Sequence, residues 1–507
     1  MLRYPYIESP SSSPINQRFS LYVKLLIESP EDGRQVINIS DEFPEVEIVL
    51  RVQGCDIEGS NTQVIHVEWD EVTEERFVLI PRQLNEQHIQ VDFYQEQRKI
   101  ATVRGSIIIQ GKELKNRKKT QTQIQTTLEI KDNISVPPPD LELCVQLDLR
   151  DRRTLYFTLH STKSEIDFHH KKVGKVISES SPEQKMRFVY HQLGHLAEQV
   201  SRKGEPIDLN SPVSSFQDNQ KRANEERLIS VGNQLWDELI PDELKQQYWQ
   251  FKSVVTSLLI TSDEPWIPWE IIKPYKFNNE KEEQDPFWCE QFAMSRWLSG
   301  PGTADDFPTE LVITVAPTNT NLLCLQQEVT FFQQLNNLRS SVSCLPTISN
   351  VSELQNYIRK PEFSILHFAC HGMFDRTFPN DSAIQLTDGV LRPSDIRIKF
   401  TNLRPLIFIN ACHGGRVGFS FTRIGGWAER FVNARVGVFI GAMWEVNDEL
   451  ALQFAQTFYT ALLQENLTIA QAFQKSREAI RKVAPYNSTW LAYSLYADPE
   501  ARIKEAS

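Results

Sequence analysis

The chain has 507 residues, a length typical of about three domains. Its formal net charge of −12 excludes a dedicated duplex-DNA-binding protein, which needs a basic face, so we expect no direct duplex nucleic-acid partner. Hydrophobic residues at 40% exclude a mostly disordered chain, and seven cysteines without a Cys-x-x-Cys pair exclude a disulfide scaffold or a zinc ribbon.

Residues 1–18 are rich in serine and proline and lack the apolar core of a secretory signal. We therefore expect a flexible segment there and a cytoplasmic protein. No run reaches the ~18 apolar residues that a transmembrane helix needs, which predicts no membrane association.

Residues 19–111 alternate between apolar and polar side chains with period two, as in Phe19, Leu21, Val23 and Leu25. Four more runs of this kind follow, separated by polar clusters typical of turns. Short strands at this spacing predict an all-β, immunoglobulin-like sandwich domain.

Residues 112–140 have the composition of a linker. A basic cluster at 112–119 is followed by the low-complexity run TQTQIQTT and then by three consecutive prolines at 137–139. The basic cluster is compatible with an acidic partner or nucleic acid, but we interpret it as a solvated tether.

Residues 141–300 and 301–507 are predicted to form two halves of an α/β region. In the first half, helical patterns at 181–201 and 219–239 precede an apolar strand at 254–261. In the second half, apolar runs of strand length alternate with amphipathic helices; these runs lie at 311–315, 364–368, 406–409 and 436–440. This alternation predicts a mostly parallel sheet with helices on both faces. Functional groups in such sheets lie just past the carboxyl ends of the strands.

Two of these strands end in histidine, cysteine and glycine: HFACHG at 367–372 and NACHGG at 410–415. A thiol nucleophile needs a base and hydrogen-bond donors for the developing oxyanion. His371 and Cys412, on neighbouring strands, are candidates for the base and the nucleophile. The backbone N–H groups of Gly372 and Cys412 are candidates for the donors.

The sequence resembles the CHAT-domain family of cysteine peptidases, which are related to caspases and separases. The resemblance rests on HFACHG and NACHGG, on GAMWEVND at 441–448, and on WLAYSLYADP at 490–499, in this order. His371 precedes Cys412 by 41 residues, close to the spacing of about 50 in caspases. The resemblance implies a caspase-like fold with His371 as base, Cys412 as nucleophile, and Gly372 and Cys412 at the oxyanion hole.

Neighbouring residues offer alternatives to this dyad. Strand alternation directs His367 to a different face from its neighbours and predicts a packed histidine. Cys370, one residue before His371, is predicted to be a buried thiol. A metal site would draw on Cys370, His371, Cys412 and His413. Because adjacent residues rarely converge on one ion, and zinc motifs separate their ligands by two or more residues, we expect no metal and no cofactor.

The family also suggests which side chains would contact the substrate. In caspases and their relatives the strand after the nucleophile helix lines the S1 pocket, and here it ends in Trp444 and Glu445. Caspases carry an arginine after this tryptophan and bind acidic P1 residues, whereas separase-like members carry an acid and prefer arginine. Asp448 adds a second carboxylate, and Asn410 is a neutral wall candidate. These residues predict cleavage after Arg or Lys; alternatively, Glu445 and Asp448 simply begin the next helix.

The resemblance implies a regulated cysteine endopeptidase that cleaves a partner protein, with an activating partner, in a bacterial antiphage or conflict pathway. The alternative is a catalytically silent caspase-like scaffold, against which the intact pair His371 and Cys412 argues. The sequence has no Walker-type GxxxxGK[ST] motif that would indicate direct nucleotide binding.

Overall fold

The computed structural model describes the chain in two compact units. The described residues are 1–28, 37–40, 44–52, 54–111, 136–148, 150–198, 215–278, 281–298, 302–318, 324–359, 362–373, 383–398, 400, 403–412 and 424–504, with only the backbone given at 38, 215–217, 371–373, 411–412 and 424–425. The first unit comprises Met1–Pro138, Asp148–Asp151 and Ser299–Thr303, and the second comprises Pro139–Leu147, Arg152–Leu298 and Ala304–Ser507.

The first unit consists of strands. They are β1 (Leu2–Glu8), β2 (Ser12–Pro14), β3 (Phe19–Leu26), β4 (Ile37–Asn38), β5 (Glu45–Val52), β6 (Cys55–Glu58), β7 (Thr62–His66), β8 (Thr73–Pro81), β9 (Asn85–Gln95) and β10 (Arg98–Gln110). Two five-stranded sheets form, in the orders β4-β1-β3-β8-β6 and β2-β10-β9-β5-β7. Their alternating apolar residues, among them Leu21 and Val23 of one sheet and Val91 and Phe93 of the other, share one core. An all-β unit is confirmed, whereas the immunoglobulin-like topology stays a prediction.

The N-terminus differs from the predicted flexible segment. Residues 1–18 contain β1, which pairs antiparallel with β3, and β2, which pairs parallel with β10. Ile7 is only 1% exposed. The backbone bonds of this segment go to strands elsewhere in the sequence, so local composition did not reveal them. Residues 112–135 of the predicted linker lie outside the described residues.

The second unit mixes strands and helices. Its strands are β11 (Leu141–Leu147), β12 (Thr154–Ser161), β13 (Lys171–Ile177), β14 (Ser257–Ser262), β15 (Tyr275–Asn278), β16 (Lys281–Gln284), β17 (Ala293–Leu298), β18 (Asp306–Phe307), β19 (Leu311–Val315), β20 (Ser343–Cys344), β21 (Ile365–Met373), β22 (Ala383–Leu386), β23 (Gly389–Leu391), β24 (Leu406–Cys412), β25 (Val438–Ala442), β26 (Tyr493–Tyr496) and β27 (Arg502–Ile503). Its α-helices are α1 (Pro182–Glu198), α2 (Ser215–Leu239), α3 (Asp242–Phe251), α4 (Trp288–Gln291), α5 (Leu325–Gln333), α6 (Val351–Arg359), α7 (Ile424–Asn433), α8 (Asp448–Gln464), α9 (Ile469–Val483) and α10 (Thr489–Ala492). None of the described helices is long and apolar enough to cross a membrane.

One large sheet organises this unit, in the order β13-β12-β11-β14-β17-β26-β25-β24-β21-β19-β20. Strands β19, β21, β24 and β25 run parallel to one another, and β11, β14 and β17 form a second parallel block. Strand β26 is parallel to β17 and antiparallel to β25, so the two blocks run in opposite directions. The predicted parallel character therefore holds within each block and not across the sheet. Strands from both predicted halves, 141–300 and 301–507, belong to this sheet, and the boundary at 300 stays a prediction.

Helices cover both faces of the sheet, as predicted. Phe408 of β24 makes edge contacts with Phe454 and Phe458 of α8. Phe439 of β25, which pairs with the residue before Phe408, instead stacks on Phe431 of α7 at 5.4 Å between ring centroids. Because successive residues of a strand point to opposite faces, α7 and α8 lie on opposite sides.

Candidate active site

The backbone brings the two predicted reactive positions side by side. Strands β21 and β24 pair in parallel, and His371 is the register partner of Cys412. Cys412 is the last residue of β24, and Trp444 follows the end of the next parallel strand, β25, by two residues. All three positions therefore lie at the carboxyl edge of one parallel block, where α/β sheets place their functional groups.

A short antiparallel extension flanks the candidate base. Strand β22 pairs with the end of β21, with His371 opposite Gln385 and Gly372 opposite Ile384. The structure gives only the backbone at His371, Gly372 and Cys412, and His413 lies outside the described residues. The dyad and its oxyanion hole thus remain a prediction that rests on backbone register.

A buried polar network lies beneath these strand ends. The carboxylate of Glu328 on α5 accepts hydrogen bonds at Oε1 from Nε2 of His367, at 2.8 Å, and from Nδ2 of Asn410, at 2.7 Å. The amide oxygen of Asn410 accepts a hydrogen bond from the hydroxyl of Tyr493 at 2.7 Å. The network ties α5 to three strands of the sheet, two of which carry His371 and Cys412 further along.

The network fixes the tautomer of His367. Since Nε2 faces a carboxylate, it carries the proton, and Nδ1 accepts from the hydroxyl of Tyr459 at 3.4 Å. Burial raises the pKa of Tyr459 well above its ordinary value, so the phenol stays protonated as a donor. The imidazole also stacks on Phe332, with 4.0 Å between centroids. His367 is fully buried, which confirms the predicted packed histidine.

Glu328 was not among the site residues predicted from the sequence. It lies on α5 three residues after Leu325 and four before Phe332, so it falls on the apolar stripe of that helix. A lone carboxylate on an apolar stripe is the signal that points to a buried partner, because an unpaired charge is costly to bury.

Asn410 differs from its prediction as a pocket wall. Its side chain is 1% exposed, and its amide is bonded to Glu328 and Tyr493. Strand alternation directs it into the core beneath α5, where its hydrogen bonds are satisfied internally. Asn410 therefore belongs to the supporting network.

The predicted buried thiol at Cys370 is confirmed, since the residue is fully buried. Burial raises the pKa of its thiol above the ordinary value, and the negative charge of Glu328 adds to this effect. A neutral, enclosed thiol is a poor nucleophile and a poor metal ligand.

The three remaining predicted substrate residues follow β25. Trp444 is 3% exposed; its indole N–H donates to Ser488 at 3.2 Å and its ring packs against Tyr190. Glu445 is half-buried and precedes the helix by three residues, whereas Asp448 is the first residue of α8. Asn447 caps that helix by accepting from the backbone N–H groups of Glu449 and Leu450. The helix start thus explains Asp448 but not Glu445.

Negative charge collects around the start of α8. The pKa of the Cys324 thiol, next to α5, is raised to about 11 by burial and by the carboxylates of Asp448, Glu449 and Glu328. A cationic ligand is favoured in such a region over an anionic one.

Comparisons with known proteins address the fold and family. The sequence model of the CHAT domain matches residues 230–498, more than half of the chain. No curated protein matches. Among solved structures, a chain in the Saccharomyces cerevisiae separase–securin complex is similar at 9% identity and a TM-score of 0.39, with 72% of this chain and 30% of that chain covered. This chain therefore spans less than a third of that yeast chain. By the match over residues 230–498, the chain belongs to the CHAT domain family.

Proposed function

We propose that this protein is a regulated cysteine endopeptidase that uses Cys412 as nucleophile and His371 as general base. The observation that carries the proposal is the register pairing of these two residues at the carboxyl edge of one parallel block. Both residues also lie within the segment that the CHAT domain model matches.

The reaction follows from these two groups. His371 takes the proton of the Cys412 thiol, and the thiolate attacks the scissile carbonyl carbon. The backbone N–H groups of Gly372 and Cys412 stabilise the oxyanion, and His371 returns the proton to the leaving amine as the C–N bond breaks. Water, deprotonated by His371, then attacks the thioester carbonyl carbon. The C–S bond breaks, the peptide acid leaves, and His371 returns the proton to the Cys412 thiolate.

We place the substrate preference on Glu445. This half-buried carboxylate follows Trp444, whose buried indole supports the chain at that point. A carboxylate there favours an arginine or lysine side chain at P1 through a charge-assisted hydrogen bond. The negative charge at the start of α8 supports the same preference.

The biological setting is part of the proposal. A peptidase of this kind needs a protein substrate and an activating protein partner, and we place it in the cytoplasm of a bacterium, in an antiphage or conflict pathway. The all-β first unit is the candidate docking module for the activator. Deletion of the neighbouring genes that encode co-purifying proteins, followed by assay of the peptidase, tests this setting.

Activity-based labelling tests the chemistry. A peptidyl-arginine acyloxymethyl ketone is expected to label the wild-type chain covalently and to leave Cys412→Ala and His371→Ala unlabelled. The matched control is Cys370→Ala, which removes a buried thiol on the strand of the base and should keep labelling. Absence of labelling in the wild type together with its co-purifying partners would favour the silent scaffold.

A further inference from the structure

Three histidines meet at one turn of the second unit, far along the chain from the dyad. His160 lies near the end of β12, and His169 and His170 immediately precede β13. One ring nitrogen from each lies within 4.8 Å of the others. The centroid of His160 is 5.7 Å from that of His169 and 4.2 Å from that of His170.

The turn that carries these histidines is held in place by its own contacts. The backbone N–H of Ser161 donates to the carbonyl of Phe168 at 2.9 Å and closes the loop. Phe168 is buried, with its ring edge-on to Phe251. Lys163 pairs with Asp140 at 2.8 Å on the other side. The imidazoles are thus presented by an anchored turn, as a binding site requires.

The side chains of adjacent residues normally diverge, but those of His169 and His170 lie close together. His170 has φ 46°, in the left-handed region that residues other than glycine rarely adopt. The rings of His169 and His170, which are consecutive in the sequence, lie 4.9 Å apart. Unusual backbone at a cluster of ligating side chains is a feature of functional sites.

The chemistry of the cluster is that of a transition-metal site. Neutral imidazole is the ligand that Zn²⁺, Cu²⁺ and Ni²⁺ prefer, and catalytic-type zinc sites use three protein ligands plus a water. His160 and His170 are buried and His169 is exposed, so the group opens to solvent on one side.

The surroundings suit a cation. Glu142 of β11 is the register partner of His160 and is itself buried, with its carboxylate accepting from Thr261 at 2.6 Å. The negative charge of this carboxylate favours a cation near His160.

Metal binding requires one of the histidine rings to rotate. The rings of His160 and His170 now stack at an interplanar angle of 10°. Because a metal lies in the plane of each ligating imidazole, one ring must turn about its Cβ–Cγ bond, a torsion with a broad energy profile.

We propose that His160, His169 and His170 form a binding site for a divalent transition-metal ion. The expected ion is Zn²⁺, with water completing the coordination. The site is separate from the proposed peptidase dyad and does not depend on it.

The test is titration of the EDTA-treated, dialysed full-length chain with ZnCl₂ by calorimetry. The wild type is expected to bind one ion at this site. His169→Ala is expected to lower the Zn²⁺ affinity by more than about 100-fold, because loss of an outer-shell partner alone lowers metal affinity about 10–100-fold. His169 is exposed, so its substitution leaves the core intact. His169→Cys, which restores a zinc ligand, should recover binding.

Two controls separate this site from other histidines. His66→Ala removes an exposed histidine of the first unit and should change nothing. His191→Ala disrupts the pair His191 and His195, whose rings lie 4.6 Å apart on α1, and should leave the proposed site intact. Co²⁺ absorption in the visible range gives a second readout. Equal Zn²⁺ affinity in the wild type and His169→Ala, or no binding by the wild type, would overturn the proposal.

Discussion

Asn410 donates its amide hydrogen to Glu328 across 2.7 Å, and this bond joins β24 to α5 two residues before Cys412. His367 makes the matching bond from β21, four residues before His371. One buried carboxylate therefore holds both strands that carry the proposed dyad. We infer that it sets the relative position of the two strand ends.

The first prediction concerns an exchange of the amide and the carboxylate between Asn410 and Glu328. Asn410→Asp places two carboxylates about 2.7 Å apart and should abolish peptidase activity and destabilise the fold by several kcal/mol. Adding Glu328→Gln to it restores a donor between the two side chains, so the double variant should recover both properties. The two single variants and the double variant form a double-mutant cycle. Its effects on stability and activity are measured by denaturant unfolding and by turnover of a peptidyl-arginine coumarin substrate.

Stability and positioning are separable in the same experiment. Asn410→Ala is expected to lower kcat about 10-fold with KM within twofold, because it loosens the strand end without touching substrate. Gln87→Ala removes a buried, hydrogen-bonded amide from the first unit and should lower stability alone. A kcat that stays at the wild-type value in Asn410→Ala would refute the positioning role.

The second prediction concerns specificity. Glu445→Gln should lower kcat/KM for arginine at P1 by about 100-fold, since it removes the carboxylate of a charge-assisted pair. Asp448→Asn should change it less than about fivefold, because Asp448 occupies the first turn of α8. The comparison is made with matched P1-Arg and P1-Asp peptides. Unchanged P1-Arg cleavage by Glu445→Arg would exclude Glu445 from the pocket.

The third prediction concerns thiol reactivity. Burial raises the pKa of Cys289 to about 12, and the pKa values of Cys55 and Cys324 to about 11. These thiols and the buried Cys370 are therefore protonated at neutral pH and react slowly. Limited iodoacetamide at pH 7, followed by peptide mapping, should modify Cys412 first. Equal modification of Cys412 and Cys324 would show that Cys412 is not activated.

The fourth prediction is a pH dependence of stability centred on Glu264. Burial raises the pKa of this carboxyl to about 7 from 4.5, although the backbone N–H groups of Trp266 and Ile267 donate to it. The folded chain thus holds the proton more tightly than the unfolded chain. The contribution of this carboxyl to the free energy of unfolding is fully present below pH 4.5. It declines by about 3 kcal/mol as the pH rises through 7.

Glu264→Gln removes this titration and provides the reference. The difference in unfolding free energy between wild type and Glu264→Gln should fall as pH rises from 4.5 to 7.5. A difference that stays flat across this range would mean that the carboxyl is ionised throughout. Glu28→Gln, at an exposed position of the first unit, is the matched control.

Local sequence patterns were sufficient to predict many of the strands, helices and motifs of this protein. Period-two alternation predicted strands such as β3, helical periodicity predicted α1 and α2, and the order of short motifs indicated the CHAT family. The burial of His367 also followed from strand alternation, and that of Cys370 from its place directly before His371. Each of these features depends on neighbouring residues, whose spacing directly determines which face they share.

Other features were decided only by the tertiary structure. Glu328 meets Asn410 across 82 positions of sequence, and β1 finds its partners in strands that lie elsewhere. The structure also distinguished Asp448, which begins a helix, from Glu445, which does not. Register and pairing between distant segments depend on how the whole core packs, and a buried carboxylate can be satisfied only by the groups that this packing brings to it.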